Sequence, residues 1–209
     1  MVYPSRAAEL IADRVVGLPF QGRRKLIAIA GPPASGKTTC AQAVCHALSA
    51  RGDRVGLVAM DGFHLDNGLL EARGLRSRKG APETFDLGGF TSVLHRLALE
   101  DEVVVPTFDR VRDISVGASA VVASDVTTVV VEGNYLLLDA PGWRDLADVW
   151  DFSVFFSVPM ADLEKRLLQR WIDLGLGETV AREKVHGNDL PNARFVLENS
   201  LEADLMIES

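Results

Sequence analysis

Residues 25–39, KLIAIAGPPASGKTT, decide the fold of this chain. The run KLIAIA is short and apolar, which is typical of a strand buried on both faces of a parallel sheet. It leads into residues 31–38, which fit the pattern G-x-x-x-x-G-K-[ST] at every required position. An alanine-rich helix is expected to follow over 38–50. A strand, a glycine-rich turn and a helix in this order predict a loop that binds the phosphates of a nucleotide.

The residue types in this loop are suited to binding a triphosphate. Glycines at both ends let successive backbone N–H groups converge, Lys37 is predicted to reach the β and γ phosphates, and the Thr38 hydroxyl to bind Mg²⁺. The glycine spacing differs from the dinucleotide fingerprint G-x-G-x-x-G, and the guanine-reading motif N-K-x-D is absent from the sequence. ATP is therefore the expected nucleotide. The predicted nucleotide-binding residues are Gly31, Pro32, Pro33, Ala34, Ser35, Gly36, Lys37, Thr38 and Thr39.

Composition places the chain among ordinary globular proteins. It has 209 residues, 47% of them hydrophobic and 24% charged, which predicts a single domain spanning 1–209. The formal net charge of −7 disfavours a nucleic-acid partner. No apolar run reaches the roughly 20 residues needed to cross a bilayer, and the start of the sequence lacks the apolar segment of a signal peptide. No membrane association and a cytoplasmic location are expected.

The hydrophobic pattern outside the loop predicts alternating strands and helices. This order is typical of an α/β fold with a parallel sheet covered on both faces. A polar, basic stretch at 66–82 is expected to form a helix fragment and a mobile loop. Asp86 is expected to cap the helix that runs to 99. Strands are predicted at 54–60, 103–108, 119–123, 127–131, 154–158 and 203–207, and further helices at 2–18, 160–174, 179–186 and 191–198.

Two acidic residues end predicted strands. Asp61 follows the second strand, at the edge of an open α/β sheet where ligands bind, and could accept a proton from an attacking hydroxyl group. The alternative is a simple turn aspartate, because Asp-Gly is a common turn pair. Glu132 ends the apolar strand 127–131 and is the candidate for a second carboxylate facing Mg²⁺, the alternative being an ordinary charge at a strand end.

Three groups of basic residues are candidates for contacts with phosphate or acceptor. Arg166 and Arg170 are one helical turn apart and could neutralise charge on a transferred phosphoryl group, unless Glu164 pairs with one of them. Two arginines that follow the strand ending at 108 are candidate substrate contacts, namely Arg110 and Arg112. The remaining group is either a solvated loop or a site for an anionic substrate, and it comprises Arg73, Arg76, Arg78 and Lys79.

Five segments together resemble a known kinase family. GPPASGKTT, VAMDGFH, RKGAPETFD, VPTFDRVRD and VVVEGNYLLL occur in the order and approximate spacing seen in the family of uridine kinase, phosphoribulokinase and bacterial pantothenate kinase. The resemblance spans roughly residues 25–207 and is closest to a bacterial branch labelled fructokinase or nucleoside/nucleotide kinase. It implies a P-loop NTPase fold: a five-stranded parallel sheet flanked by helices, with an extra strand or hairpin and a small lid near 160–190.

The resemblance also implies roles for individual residues. Asp61 matches the family's base and Glu132 the acid of its E-G-x-x-L segment, while Arg166 and Arg170 match the lid arginines. The resemblance places His64, Phe85 and Asp86 on the acceptor side, where Lys79 and Arg110 are also candidates from the pattern of basic residues. Segment 186–192, HGNDLPN, is similar to a late segment near the nucleotide base. Arg110 stands where uridine and pantothenate kinases more often carry histidine, which disfavours those two acceptors.

These features predict a kinase that uses ATP and Mg²⁺ and phosphorylates an alcohol of a small molecule. A sugar such as fructose is the preferred acceptor, followed by a nucleoside and then a pantothenate-like alcohol. One alternative is a nucleotide-hydrolysing switch. Another is a kinase of free nucleotides, in which the basic residues of 73–79 would bind the acceptor's phosphate. The sequence leaves the oligomeric state open, a homodimer included.

Overall fold

A computed structural model describes residues 4–19 and 22–208 and has the expected α/β architecture. Its strands are β1 (Lys25–Ala30), β2 (Val55–Ala59), β3 (Val103–Asp109), β4 (Ile114–Val122), β5 (Thr128–Gly133), β6 (Phe152–Ser157) and β7 (Leu205–Glu208). Its α-helices are α1 (Pro4–Val16), α2 (Lys37–Ala50), α3 (Asn67–Ala72), α4 (Leu87–Leu99), α5 (Met160–Asp173), α6 (Glu178–Lys184) and α7 (Leu190–Glu198). The predicted first helix included residues 2 and 3, which lie outside the described residues.

Five of the strands form one parallel sheet in the order β2-β5-β1-β6-β7, as the resemblance implied. Strand β1 is central, pairing with β5 on one side and β6 on the other. All but its first residue are buried, which explains the continuous apolar run in the sequence. Because the strands are parallel, the segments that follow β1, β2 and β5 all emerge at the same edge of the sheet.

Helices cover both faces of the sheet. Ile27 and Ile29 of β1 face a cluster that contains the buried sides of α1 and α2. Leu26 and Ala28 point to the opposite face, where they join a cluster containing α4 and the aromatic residues that follow β5. This alternation is the two-residue period of a strand. Each large apolar side chain that is fully buried here contributes about 1.5–3 kcal/mol.

Strands β3 and β4 form a separate antiparallel hairpin. It is the extra hairpin that the resemblance implied, although β4 begins five residues earlier than the predicted 119–123. The hairpin packs on the short 3-10 turn Met60–Phe63 that follows β2. At Gly62 the packing leaves no room for a side chain, because a Cβ atom would lie 2.6 Å from the Pro106 carbonyl oxygen. The hairpin is thereby held against the carboxyl edge of the parallel sheet.

The chain after β6 forms a helical layer over the same edge. Helices α5 and α7 and the turn after α6 share a small apolar cluster that includes Leu163, Leu167 and Val185. The predicted gap between helices at 186 and 191 is wrong, since a π-helical turn, Val185–Asp189, joins α6 to α7. Segment 66–82 contains α3 and the 3-10 turn Arg76–Arg78, and a second 3-10 turn, Pro82–Thr84, begins at its end. Within the described residues, no helix combines the length and the apolar character needed to traverse a bilayer.

Candidate active site

The phosphate-binding loop has the backbone conformation that its sequence predicts. Gly36 precedes the first residue of α2 with φ of 92°, in the left-handed region that glycine adopts without strain. Ala34 has φ of 62°, an uncommon conformation for a residue with a side chain. A Cβ atom at Gly31 would lie 2.9 Å from the Phe156 carbonyl oxygen, so the loop packs directly on β6. The start of α2 therefore points its backbone N–H groups into the loop.

A cleft of about 1020 Å³ opens above this loop at the carboxyl edge of the sheet. One wall comes from the loop and α2, a second from the segments that follow β2 and β3, and a third from α5 and the π-helical turn. The predicted site residues that line the cleft are Pro33, Ala34, Gly36, Lys37, Thr38, Thr39, Asp61, His64, Lys79, Arg110, Glu132, Arg166 and Arg170. The structure thus gathers most of the predicted site in one cavity.

Lys37 is nearly buried at the base of the cleft. Its side-chain nitrogen donates to the Pro32 carbonyl at 3.3 Å, across the loop. Burial lowers the pKa of Lys37, while the nearby carboxylates of Glu132 and Asp61 oppose that change. A buried ammonium with few neutralising partners is suited to binding an anionic phosphate.

Glu132 lies beside Thr38, so the two predicted metal ligands meet. The register of the sheet pairs Ile29 of β1 with Glu132 of β5, which puts the carboxyl group directly next to the phosphate-binding loop. Burial raises the pKa of Glu132, whereas Lys37 and a hydrogen bond with Thr38 act in the opposite direction. A hydroxyl and a carboxylate are hard oxygen donors of the kind that Mg²⁺ prefers. The residues present therefore fit a magnesium ion bound together with a nucleotide.

Asp61 occupies the 3-10 turn after β2, and its side chain is 24% exposed. Strand β2 is paired with β5, which brings Asp61 and Glu132 to the same edge. Arg110, from the turn between β3 and β4, donates to the Asp61 carboxylate at 3.0 Å. The sequence identified both residues as candidates but gave no sign that they pair.

His64 lies between aromatic rings, 4.1 Å from Phe85 and 4.8 Å from Phe108 between centroids. Its Nδ1 is 2.8 Å from the Asp61 carbonyl oxygen. Burial lowers the pKa of His64, the carboxylate and carbonyl of Asp61 opposing this. The ring is therefore neutral near pH 7, and since Nδ1 must donate to a carbonyl, Nε2 is left as a hydrogen-bond acceptor.

The two predicted lid arginines lie on α5 at the cleft. Arg166 donates to the carbonyls of Ala34 and Ser35 at 3.4 and 3.5 Å, so this helix rests on the phosphate-binding loop. Arg170 also lines the cleft, with its guanidinium 5.8 Å from the ring of Trp171. Glu164 pairs with His186 in the structure.

Trp171 is a cleft residue that sequence reasoning missed, and its partner Asp189 lies in the cleft as well. The Trp171 indole N–H donates to the Asp189 carboxylate at 2.6 Å, which connects α5 to the π-helical turn. Burial raises the pKa of Asp189, and the indole N–H opposes the change. Segment 186–192 was singled out in the sequence, but a tryptophan in an amphipathic helix gave no signal of a role in the cleft.

Two residues expected on the acceptor side lie outside the large cleft. Asp86 is exposed and caps α4, its carboxylate accepting the Gly89 N–H at 2.9 Å, so its cap role is confirmed and it does not reach the cleft. Phe85 is buried and stacks on His64, and it lines a separate cavity of about 560 Å³ with Trp143 and Phe195. Phe85 thus supports the wall of the cleft from behind.

The basic residues of segment 73–79 are largely paired within the protein. Arg76 binds Asp113 at 2.9 Å, and Arg78 approaches Glu83 at 3.4 Å. Lys79 is 8% exposed and bonds to Asn67 and Asp113. The helix fragment predicted in 66–82 is α3, and three of the four basic residues in 73–79 are held by acidic partners rather than fully solvated.

Comparison with known proteins places these features in a family. The chain is 37% identical over 188 residues to the Escherichia coli K12 protein described as uncharacterized protein YggC, covering 89% of this chain and 78% of that one. It is 31% identical over 206 residues to a Schizosaccharomyces pombe protein described as putative uridine kinase C227.14, covering 94% and 88%. A pantothenate kinase of Streptomyces avermitilis is 37% identical over 165 residues, which is 74% of this chain and 48% of the kinase.

A solved structure from Silicibacter sp. TM1040 superposes on the chain with a TM-score of 0.93. Its description is putative fructose transport system kinase, it is 49% identical, and the match covers 96% of this chain and 98% of that one. Residues 4–68 match the family model described as methylmalonyl Co-A mutase-associated GTPase MeaB, a stretch that contains the phosphate-binding loop.

Proposed function

We propose that this protein uses ATP to phosphorylate an alcohol of a small polar molecule. The premise is that the chain belongs to the P-loop kinase family of uridine kinase and pantothenate kinase. The protein is a small-molecule kinase of the phosphotransferase type, and what has to be proposed is the acceptor and the role of each residue. A sugar such as fructose is the acceptor that we propose first.

The observation that carries this proposal is the shared cleft. The phosphate-binding loop, Asp61 and Glu132 line one cavity, and the charges of Asp61 and Glu132 both act on Lys37 of the loop. A carboxylate on the far side of a triphosphate site is where an acceptor hydroxyl would need a proton acceptor. Enclosure by the lid helix α5 would exclude water, which favours transfer of the phosphoryl group to an alcohol over hydrolysis of ATP.

The proposed roles follow from the geometry. The loop amides and Lys37 hold the β and γ phosphates, and Asp61 accepts the proton from the attacking hydroxyl group. Arg166 and Arg170 lie on the face of α5 that covers the cleft, where their positive charges balance charge on the phosphoryl group during transfer. Thr38 and Glu132 would hold Mg²⁺, which neutralises phosphate charge when bound.

A neutral acceptor is favoured by the ion pairs of segment 73–79. A kinase of free nucleotides would need cations available for the acceptor's own phosphate, whereas Arg76, Arg78 and Lys79 each bind an acidic side chain of the protein. The solved structure with 49% identity carries the word fructose in its description, which supports a sugar. Nucleosides and pantothenate remain the alternatives, given the relatives named above.

A coupled ADP assay with a panel of sugars, nucleosides, nucleoside monophosphates and pantothenate tests the acceptor. We expect turnover with a sugar at millimolar concentration and little ADP release without an acceptor. Turnover only with monophosphates would replace the sugar by a nucleotide as the acceptor. Full-rate hydrolysis without any acceptor would contradict the kinase proposal and favour a nucleotide-hydrolysing switch.

The Asp61→Asn variant tests the proposed base. It should keep ATP affinity and lose about 10²–10⁴ in turnover, the usual cost of removing a general base. Asp66→Asn is the matched control, because Asp66 is exposed, caps α3 outside the cleft and is replaced by an equally good capping residue. Normal turnover in Asp61→Asn, with Asp66→Asn also normal, would exclude the base role.

A further inference from the structure

The Lys79 ammonium group is fully used inside the protein. It donates to the Asn67 side-chain oxygen at 2.7 Å and to the Asp113 backbone oxygen at 2.6 Å, and it pairs with the Asp113 carboxylate at 3.1 Å. The Phe108 ring lies 5.2 Å away. A lysine ammonium has three donor hydrogens, and three acceptors surround this one. Lys79 therefore has little capacity to contact an acceptor, although it lines the cleft.

Asp113 is the point on which these bonds converge. Its backbone oxygen accepts from Asn67 and Lys79, and its carboxylate binds Lys79 and Arg76 on its two oxygens. Its φ is 54°, a left-handed conformation that costs a residue with a side chain roughly 1–2 kcal/mol. Such a conformation persists only where the surrounding contacts hold it.

Asp113 closes the turn between β3 and β4 that carries Arg110. The Arg110 side chain is 51% exposed, so burial does not fix its position opposite Asp61. Its reach to Asp61 depends on where the turn backbone lies. The backbone N–H groups of Val111 and Arg112 donate to the Asp109 carboxylate, which shapes the turn internally but does not attach it to another segment. That attachment comes from Lys79 and Asn67, which bind the Asp113 backbone oxygen, and from Lys79 and the more exposed Arg76, which bind its carboxylate.

We propose that Lys79 is a positioning residue that anchors the Arg110 turn through Asp113 and so keeps the Arg110 guanidinium on the Asp61 carboxylate. The consequence for catalysis rests on the proposed function, in which Asp61 is the base. The anchoring itself is a property of the fold. It replaces the direct substrate contact that the sequence indicated for Lys79.

Hydrogen exchange tests the anchoring without any acceptor. Lys79→Met should speed exchange of the backbone amides at 110–116 about tenfold or more, leaving the central strand β1 unchanged. Arg76→Met is the matched control, because Arg76 binds the same carboxylate but its own side chain is 42% exposed. The exchange rates in this variant should stay within about twofold of wild type. Asp113→Asn keeps the backbone acceptor and tolerates the left-handed conformation, so it should speed exchange in the same region if Lys79→Met folds poorly. Unchanged exchange in Asp113→Asn and in a folded Lys79→Met would overturn the proposal.

A double-mutant cycle separates positioning from direct contact. Alone, Lys79→Met and Arg110→Met should each lower kcat/KM for the acceptor about tenfold, with KM for ATP within about twofold of wild type. If Lys79 acts through Arg110, the double variant should be no worse than Arg110→Met alone. Additive losses would mean that Lys79 meets the acceptor directly and would overturn the proposal, as would full activity in Lys79→Met. Lys79→Arg should restore part of the loss. If no acceptor is turned over, the proposed function fails, whereas the exchange result still decides the anchoring.

Discussion

Gly62 offers a sensitive test of how tightly the β3–β4 hairpin is held against the site. It follows Asp61 directly, and hairpin backbone packs on its Cα atom. A Cβ atom at this position would lie 2.6 Å from the Pro106 carbonyl oxygen, 2.9 Å from its carbon and 3.3 Å from the Thr107 Cα. All three atoms belong to the backbone, so no side-chain rotation can relieve the contact. Gly62→Ala must therefore push the turn and the hairpin apart.

The size of the effect follows from these distances. Reaching an ordinary contact of about 3.4 Å requires a displacement of about 0.8 Å. Overpacking of this kind costs typically about 1–3 kcal/mol, and each kcal/mol lowers Tm by about 2–4 °C in a domain of this size. The same displacement separates Asp61 from Arg110, and a misplacement near 1 Å can cost about 10²-fold in rate. We expect a moderate loss of stability and a larger loss of turnover.

Thermal unfolding and acceptor kinetics measure the two effects in parallel. Gly88→Ala is the matched control, because it lies in the first turn of α4 and the nearest atom to its Cβ would be an Asp86 oxygen at 3.8 Å. Alanine is preferred over glycine in a helix by up to about 1 kcal/mol, so this variant should be neutral or slightly stabilised. If Gly62→Ala unfolds at the same temperature as Gly88→Ala and has normal turnover, the hairpin can move at no cost. That result would contradict the prediction that it is held tightly against the site.

Two further predictions concern His64 and Asp189, two partly buried groups whose pKa values are shifted by burial. The folded-state pKa of His64 is lowered by burial, so below about pH 6.5 the unfolded chain takes up a proton that the folded chain does not. The unfolding free energy should therefore fall as the pH drops from 6.5 toward that lowered pKa, by at most about 1.4 kcal/mol per pH unit. Urea unfolding at pH 7.5 and 5.5 measures this dependence, and His64→Gln should weaken it. An equal pH dependence in the variant and the wild type would contradict the prediction. Trp171→Phe removes the N–H that binds the partly buried Asp189 carboxylate at 2.6 Å and should lower the unfolding free energy by about 1–3 kcal/mol. An unchanged urea midpoint would show that this hydrogen bond makes no net contribution to stability.

The parts of the fold that the sequence predicted well are those encoded by local pattern. Strand β1 has the predicted bounds, because an apolar run followed by a glycine-rich turn has few alternative structures. The first half of β4 was missed because Gly117 and Ala118, which are small and exposed, give no strand signal in the middle of it. The join between α6 and α7 was missed because Pro191 normally ends a helix, whereas a π-helical turn lets the helical path continue through it.

The site shows the same division between local and long-range information. That Lys37, Thr38 and Asp61 lie together at one cleft could be predicted, because each follows a strand end or belongs to a motif. The pairing of Lys79 could not be predicted, because its partner Asp113 is 34 residues away in the sequence and only the hairpin geometry brings the two together. A cation's residue type is visible in the sequence, but whether its charge is already neutralised depends on tertiary contacts.

The topology also explains why family membership identifies the kinase more readily than its acceptor. The nucleotide half of the cleft comes from the segments after β1 and β5, which are neighbours in the sheet and whose spacing the parallel register fixes. The half that we propose for the acceptor comes from residues 61–113, which lie between β2 and β5 in the chain and are held by the Gly62 contact and the Lys79 bond to Asp113. Side chains in that insertion can change without disturbing the strands that bind phosphate. Exchanging 61–113 between two relatives should therefore transfer acceptor preference and leave the KM for ATP nearly constant, provided that the residues equivalent to 62 and 79 travel with it.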